Sequence, residues 1–159
     1  FPEPHISKNI LYPILATILL ACAVTGAIKF TTSLRQQRND PAYQMMLSIR
    51  DQYEPGQVVA VPLKWQQFRL VTGIPIVVEF KAGPQSAPDI VEWYERVQQV
   101  DHLYAGLPYG EGCLRWEYLQ TAYGATHLVL PNDLAPEPEC MKLLFSNDEF
   151  GFYETVEVK

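Results

Sequence analysis

The sequence has little of what catalytic and metal-binding sites are made from. Its 159 residues include three histidines, His5, His102 and His127, which are too far apart for a paired metal motif. Its five serines show no G-x-S-x-G pattern, and no phosphate-binding loop or H-E-x-x-H motif occurs. His127, beside an apolar run, is typical of a packed core residue. We expect no metal, no cofactor and no catalysis by this chain alone.

Charge is missing from a long stretch near the start of the chain. Residues 9–28 contain no charged side chain, and as a helix they span about 30 Å, the thickness of a bilayer hydrocarbon core. A secretory signal peptide is one alternative interpretation, and the segment LLAC at 19–22, which resembles a lipoprotein cleavage site, suggests another. The favoured interpretation divides the chain into an N-terminal flank at 1–9, a transmembrane helix at 10–28, a juxtamembrane connector at 29–39 and a soluble α/β domain at 40–159.

The two parts of the chain differ in charge. Residues 1–39 carry four basic side chains and one acidic side chain, whereas residues 40–159 carry eight basic and seventeen acidic ones, a net charge of −9. An acidic body repels polyphosphate backbones, which excludes general nucleic-acid binding. Instead of nucleic acids, we expect the lipid bilayer and a larger integral membrane protein complex as partners.

The soluble part alternates between helical periodicity and short apolar runs. The longest predicted helix has apolar residues that recur at three- and four-residue steps from Ile90 to Tyr104. Helices are predicted at 41–54, 65–71, 87–105 and 113–123, and strands at 58–61, 75–80, 127–130, 141–145 and 150–158. We expect an α/β fold: a Rossmann-like mixed sheet of about five strands with flanking helices and a C-terminal hairpin, preceded by the single transmembrane helix.

Three basic residues stand out in the acidic body and are candidates for ligand binding: Arg69, Lys81 and Arg96. Two of them flank the predicted strand at 75–80, and open α/β sheets bind ligands at the carboxyl ends of their strands. One interpretation is an anion-binding site. The other is ordinary ion pairing with Glu79, Glu92 or Glu95.

The body contains two cysteines, Cys113 and Cys140. An even pair suggests a disulfide if the body is extracytoplasmic, and two buried thiols are the alternative. Cys113 lies at a predicted helix start and Cys140 in a loop before a predicted strand, so contact between them is possible.

Two segments, WQQFRLVTGIPIVVEFK at 65–81 and EWYER at 92–96, resemble the C-terminal region of an uncharacterised family of bacterial polytopic membrane proteins. That family is similar in layout to the glycosyltransferase-C superfamily: many membrane helices, followed by a small extracytoplasmic α/β domain. The segments at 123–130 and 150–153 fit the same domain, and the resemblance covers roughly 58–156. It implies that residues 10–28 are the last membrane helix of such a protein, and it supplies no catalytic residue.

The two indications of membrane orientation conflict. Lys29, Arg35 and Arg38 follow the apolar stretch and favour a cytoplasmic body by the positive-inside rule. The resemblance and the cysteine pair favour the opposite side, and helices upstream can override three charges. We therefore expect a protein of the cell membrane that contributes a single span and an extracytoplasmic body.

Three functions remain open. The first is a membrane-anchored, non-catalytic accessory domain that packs on a larger membrane protein complex. The second is the terminal domain of a lipid-linked-sugar glycosyltransferase whose catalytic part lies upstream. The third is an extracytoplasmic binding domain for an anionic ligand.

Overall fold

The computed structural model describes residues 8–80, 83–134 and 140–156. It separates into two compact units, Phe1–Asp40 and Pro41–Lys159. The first unit contains helix α1 (Lys8–Arg38), of which the part from Tyr12 onward is long and apolar enough to cross a membrane. The helix continues through the predicted connector because residues 29–38 include neither glycine nor proline.

The second unit contains four further α-helices. Helix α4 begins after Ser86, whose hydroxyl accepts a hydrogen bond from the N–H of Asp89, as the sequence pattern predicts. Helices α3 and α5 end at Gly73 and Gly124, both in the left-handed conformation that favours glycine. The bounds are α2 (Pro41–Asp51), α3 (Phe68–Thr72), α4 (Ala87–Gly106) and α5 (Gly112–Tyr123), with a 3-10 turn at Leu107–Tyr109.

A mixed four-stranded sheet forms the centre of this unit. Its strands lie in the order β1-β2-β4-β3, with β1 parallel to β2 and the other neighbours antiparallel. The predicted C-terminal hairpin is confirmed as β3 and β4, and the α/β class is confirmed as well. The bounds are β1 (Val59–Ala60), β2 (His127–Pro131), β3 (Met141–Ser146) and β4 (Phe150–Thr155).

The prediction of a strand at 75–80 is wrong. In this segment Ile76 alone forms a β-bridge, to Val59, and the chain bends at Val77. Two carbonyl groups after the bridge accept hydrogen bonds from side chains of α4 instead of from a neighbouring strand. Arg96 Nη1 donates to the carbonyl of Val77 (3.3 Å), and Trp93 Nε1 donates to the carbonyl of Glu79 (2.9 Å). The described residues therefore form four strands where about five were expected, with a single parallel pair.

Helices cover both faces of the sheet because successive strand residues point to opposite sides. On one face, Leu128 and Leu130 pack with core residues of α4 and α5 such as Leu103 and Trp116. On the other face, Val129 packs with residues of α2 and α3; this second cluster includes Met45, Met46, Ile49, Phe68 and Phe152. The second unit is thus a three-layer sandwich with α2 and α3 on one side and α4 and α5 on the other.

A hydroxyl from α4 extends the link between β1 and β2. Val129 is the first residue of β2 beyond the pairing with β1. Its carbonyl accepts a hydrogen bond from the hydroxyl of Tyr104 (2.6 Å), which also lies 3.5 Å from the carbonyl oxygen of Ala60. Burial raises the pKa of Tyr104 well above its usual value, so the hydroxyl keeps its proton and remains a donor.

We expect Tyr104→Phe to lower the free energy of unfolding by about 1–2 kcal/mol, because a carbonyl inside the protein loses its hydrogen-bond donor. Tryptophan fluorescence during urea unfolding of the full chain in mild detergent measures this. Tyr94→Phe is the matched control, since Tyr94 is exposed on the same helix and its loss of a hydroxyl should cost less than about 0.5 kcal/mol. Equal losses in the two variants would contradict the role given to Tyr104.

Candidate functional site

The structure brings together two of the three basic residues predicted to bind a ligand. Arg69 of α3 and Arg96 of α4 line one cleft of about 310 Å³. The other walls are residues 76–79 and the first half of α4. Lys81 lies outside the described residues.

Both arginines of the cleft are ion-paired. Arg69 Nη1 lies 3.5 Å from Glu79 Oε2, and Arg96 pairs with Glu92 one helical turn earlier. The Arg96 guanidinium also stands over the ring of Tyr123, with its carbon 4.8 Å from the ring centroid, and donates to the carbonyl of Val77 as described above. Arg96 therefore holds the segment after the bridge against α4.

The charge of the cleft does not favour an anion. Three carboxylates, those of Glu79, Asp89 and Glu92, line it together with the two guanidinium groups. The net charge of the described lining is therefore −1, in a body whose net charge is already −9. Anion binding at Arg69 and Arg96 stays a prediction, and the ion pairs proposed as its alternative are present.

The predicted disulfide between Cys113 and Cys140 is confirmed, with their Cα atoms 5.6 Å apart. It joins the start of α5 to the residue before β3, across 27 residues of chain that include the acidic, proline-rich segment at 135–139. A covalent link of this length removes conformational freedom from the unfolded chain and so favours the folded state.

We expect the double variant Cys113→Ser, Cys140→Ser to lose about 3–4 kcal/mol in free energy of unfolding, the loss given by the loop-entropy relation for a closed loop of this length. Urea unfolding of the full chain with and without dithiothreitol measures it. Cys22→Ser in α1 is the control and should leave the midpoint unchanged, because Cys22 is a free cysteine. Insensitivity of the native chain to the reductant would contradict the expectation.

His127 is packed in the core, as its sequence context predicts. It is 9% exposed and its ring stacks on Phe152 with centroids 5.1 Å apart. Nδ1 lies 2.9 Å from Thr126 Oγ1, and Nε2 lies 3.4 Å from the side-chain nitrogen of Gln57. Burial lowers the pKa of His127 below the usual 6.5, although the charges of Glu154 and Glu54 act in the opposite direction.

The lowered pKa of His127 predicts a loss of stability on acidification. The unfolded chain binds a proton near pH 6.5, whereas the folded chain resists protonation, so the free energy of unfolding falls as the pH drops below about 6.5 and levels off below the folded-state pKa. This one group contributes at most about 1.4 kcal/mol per pH unit. Urea midpoints between about pH 7.5 and 5.5 should show the fall in the native chain and in His102→Gln. A fall of the same size in His127→Gln would contradict the assignment.

A second surface feature is apolar and lies on the outside of α4. Ile90, Val91 and Tyr94 are 45%, 59% and 54% exposed, and we call them the α4 strip. Tyr94 lies four residues after Ile90 and three after Val91, so it is the helix-face neighbour of both. The three- and four-residue spacing in the sequence groups Ile90 and Tyr94 with the buried Val100 and Leu103, and it does not reveal that the first two face solvent. Val91 is the signal, because it makes the apolar arc in the first half of α4 wider than one core-facing stripe.

Comparison with known proteins gives one similarity. Residues 41–100 match a family described as a domain of unknown function, DUF6798. No curated protein and no solved structure gave a significant match. The matched region includes α2, β1, α3 and the first part of α4, and therefore contains every described residue of the cleft as well as the α4 strip.

Proposed function

We propose that the chain is a membrane-anchored, non-catalytic accessory domain whose extracytoplasmic body packs on a larger membrane protein. The observation that carries the proposal is the α4 strip, which leaves three large apolar side chains together in solvent on a body whose net charge is −9. Clustered apolar side chains of this kind, rimmed by polar residues, are typical of protein–protein contact surfaces. Glu95 and Gln98, four residues after Val91 and Tyr94, supply polar side chains beside the strip.

Helix α1 supports the anchor. Its apolar part has no residue buried within its own unit, and a helix of this kind needs lipid or other apolar helices around it. An anchor also confines the body to a layer next to the membrane. A moderate contact surface such as the α4 strip then meets its partner at a high local concentration.

The disulfide supports an extracytoplasmic body. Disulfides persist in oxidising compartments and are rare where thiols are kept reduced. Against this stand Lys29, Arg35 and Arg38 at the end of α1, which favour a cytoplasmic location. We give the covalent bond more weight, because membrane helices upstream can override the effect of three charges.

The same strip serves the alternative in which this domain ends a lipid-linked-sugar glycosyltransferase of glycosyltransferase-C-like layout. In that case it packs against membrane helices of its own polypeptide and not against a separate subunit. The intact mass of the protein purified from its native membrane separates the two: about 18.1 kDa fits an accessory subunit, and a much larger mass fits the alternative.

We expect Val91→Asp to release the protein from its membrane complex, because a carboxylate within the α4 strip must be desolvated on docking. Native electrophoresis in mild detergent should show at least a tenfold drop in the fraction of chain that migrates in the complex, equivalent to about 1.4 kcal/mol of association free energy. Leu70→Asp is the matched control, since Leu70 is 84% exposed on α3, outside the strip. A native chain that migrates alone, or equal release by both variants, would overturn the proposal.

A further inference from the structure

The sheet has an open edge beside β1. The N–H of Val59 donates to the carbonyl of Pro75 (3.0 Å), and the N–H of Val77 donates to the carbonyl of Val59 (3.1 Å). Because main-chain groups alternate in direction along an extended chain, the N–H and C=O of the intervening Ile76 point away from β1. Among the described residues, the main-chain groups of Ile76 and Val78 have no hydrogen-bond partner. Unpaired main-chain groups at a sheet edge are a template for another strand.

This edge lies in the cleft, between helices from opposite faces of the sheet. Residues 76–79 line the cleft together with Arg69 of α3 and with Trp93 and its neighbours on α4. Helix α3 covers one face of the sheet and α4 covers the other. The edge is therefore recessed between two walls. The cleft between them, about 310 Å³, is small compared with a second sheet and its covering helices, which argues against a second copy of this protein as the occupant.

The charges of the cleft select the kind of chain that fits. Arg96 is already engaged by Glu92, the carbonyl of Val77 and the ring of Tyr123. Glu79 and Glu92 are paired with the two guanidinium groups, which leaves Asp89 as the excess negative charge of the described lining, so basic side chains on the occupant are favoured over acidic ones. The lining also includes the apolar residues Ile76, Val78 and Trp93, so apolar residues at alternate positions of the occupant are favoured.

We infer that the cleft binds an extended segment of a partner protein by strand addition at Ile76, with apolar residues alternating with basic ones. Main-chain hydrogen bonds to the N–H and C=O of Ile76 supply part of the affinity, and the carboxylates of the cleft supply the preference for basic residues. This site is separate from the α4 strip and does not depend on the proposed function. The two are tested by different variants and different measurements.

The test uses the full chain in detergent micelles and the peptide acetyl-Lys-Val-Lys-Val-Lys-Val-amide as the probe. Hydrogen–deuterium exchange should slow about tenfold within residues 74–80 when the peptide is added at about 1 mM, the slowing expected for a dissociation constant of about 0.1 mM. Exchange at the other sheet edge, β3, should not change. No slowing at 74–80, or slowing at β3 in its place, overturns the inference.

Two matched peptides separate strand addition from other modes of binding. A peptide of the same sequence with N-methyl groups on every residue cannot donate to the edge from either of its sides and should give no protection. A peptide with glutamate in place of lysine should bind more weakly. Equal protection by the N-methylated peptide overturns strand addition, and equal protection by the glutamate peptide overturns the preference for basic residues.

Two variants of the chain test the contribution of the carboxylates. Asp89 is the carboxylate of the cleft that forms no ion pair among the described residues, and Asp89→Asn should weaken binding of the lysine peptide about threefold, the size expected for one exposed ion pair. Glu117→Gln, an exposed position on α5 that does not line the cleft, should leave binding unchanged. Equal effects of the two variants would show that general charge, and not the cleft, attracts the peptide.

Discussion

Strand β2 is the element on which the rest of the body depends. It pairs in parallel with β1 and antiparallel with β4, and its residues from His127 to Leu130 are buried. Because its side chains point alternately to both faces, it requires cover on both sides. Helices α4 and α5 supply this cover on one face and α2 and α3 on the other, so the three-layer arrangement follows from a strand that cannot be left exposed.

Helix α4 has a second role, which decides where the sheet ends. Side chains of α4 satisfy two carbonyls after the bridge at Ile76, and those groups are lost to strand pairing. By binding the carbonyl of Val77, Arg96 thus interrupts the strand pairing that the amino-acid pattern at 75–80 favours. The same contacts hold residues 76–79 beside α4, and the cleft is bounded by this segment, by α4 and by Arg69 of α3. Arg96, which the sequence analysis predicted to bind a ligand, is thus also a structural residue of the cleft wall.

The features of the body that point to function concern contact with other molecules. The α4 strip is apolar and faces solvent, and the cleft contains main-chain groups without partners among the described residues. The disulfide ties α5 to the segment before β3, which restrains the body on the side of its edge hairpin. Together with an apolar helix long enough to cross a membrane, these features support the docking role that we propose.

The amino-acid sequence by itself determined the apolar helix, the α/β class, the hairpin and the packed state of His127, because these depend on local composition and periodicity. It also brought Cys113 and Cys140 forward as a pair, since they are the two cysteines of the body. Tertiary structure alone decided that residues 75–80 form a bridge and not a strand, because the competing donors, Trp93 and Arg96, come from a helix later in the chain. It also decided that Ile90 and Tyr94 face solvent, because the sheet covers only one arc of α4 and periodicity does not reveal how wide that arc is.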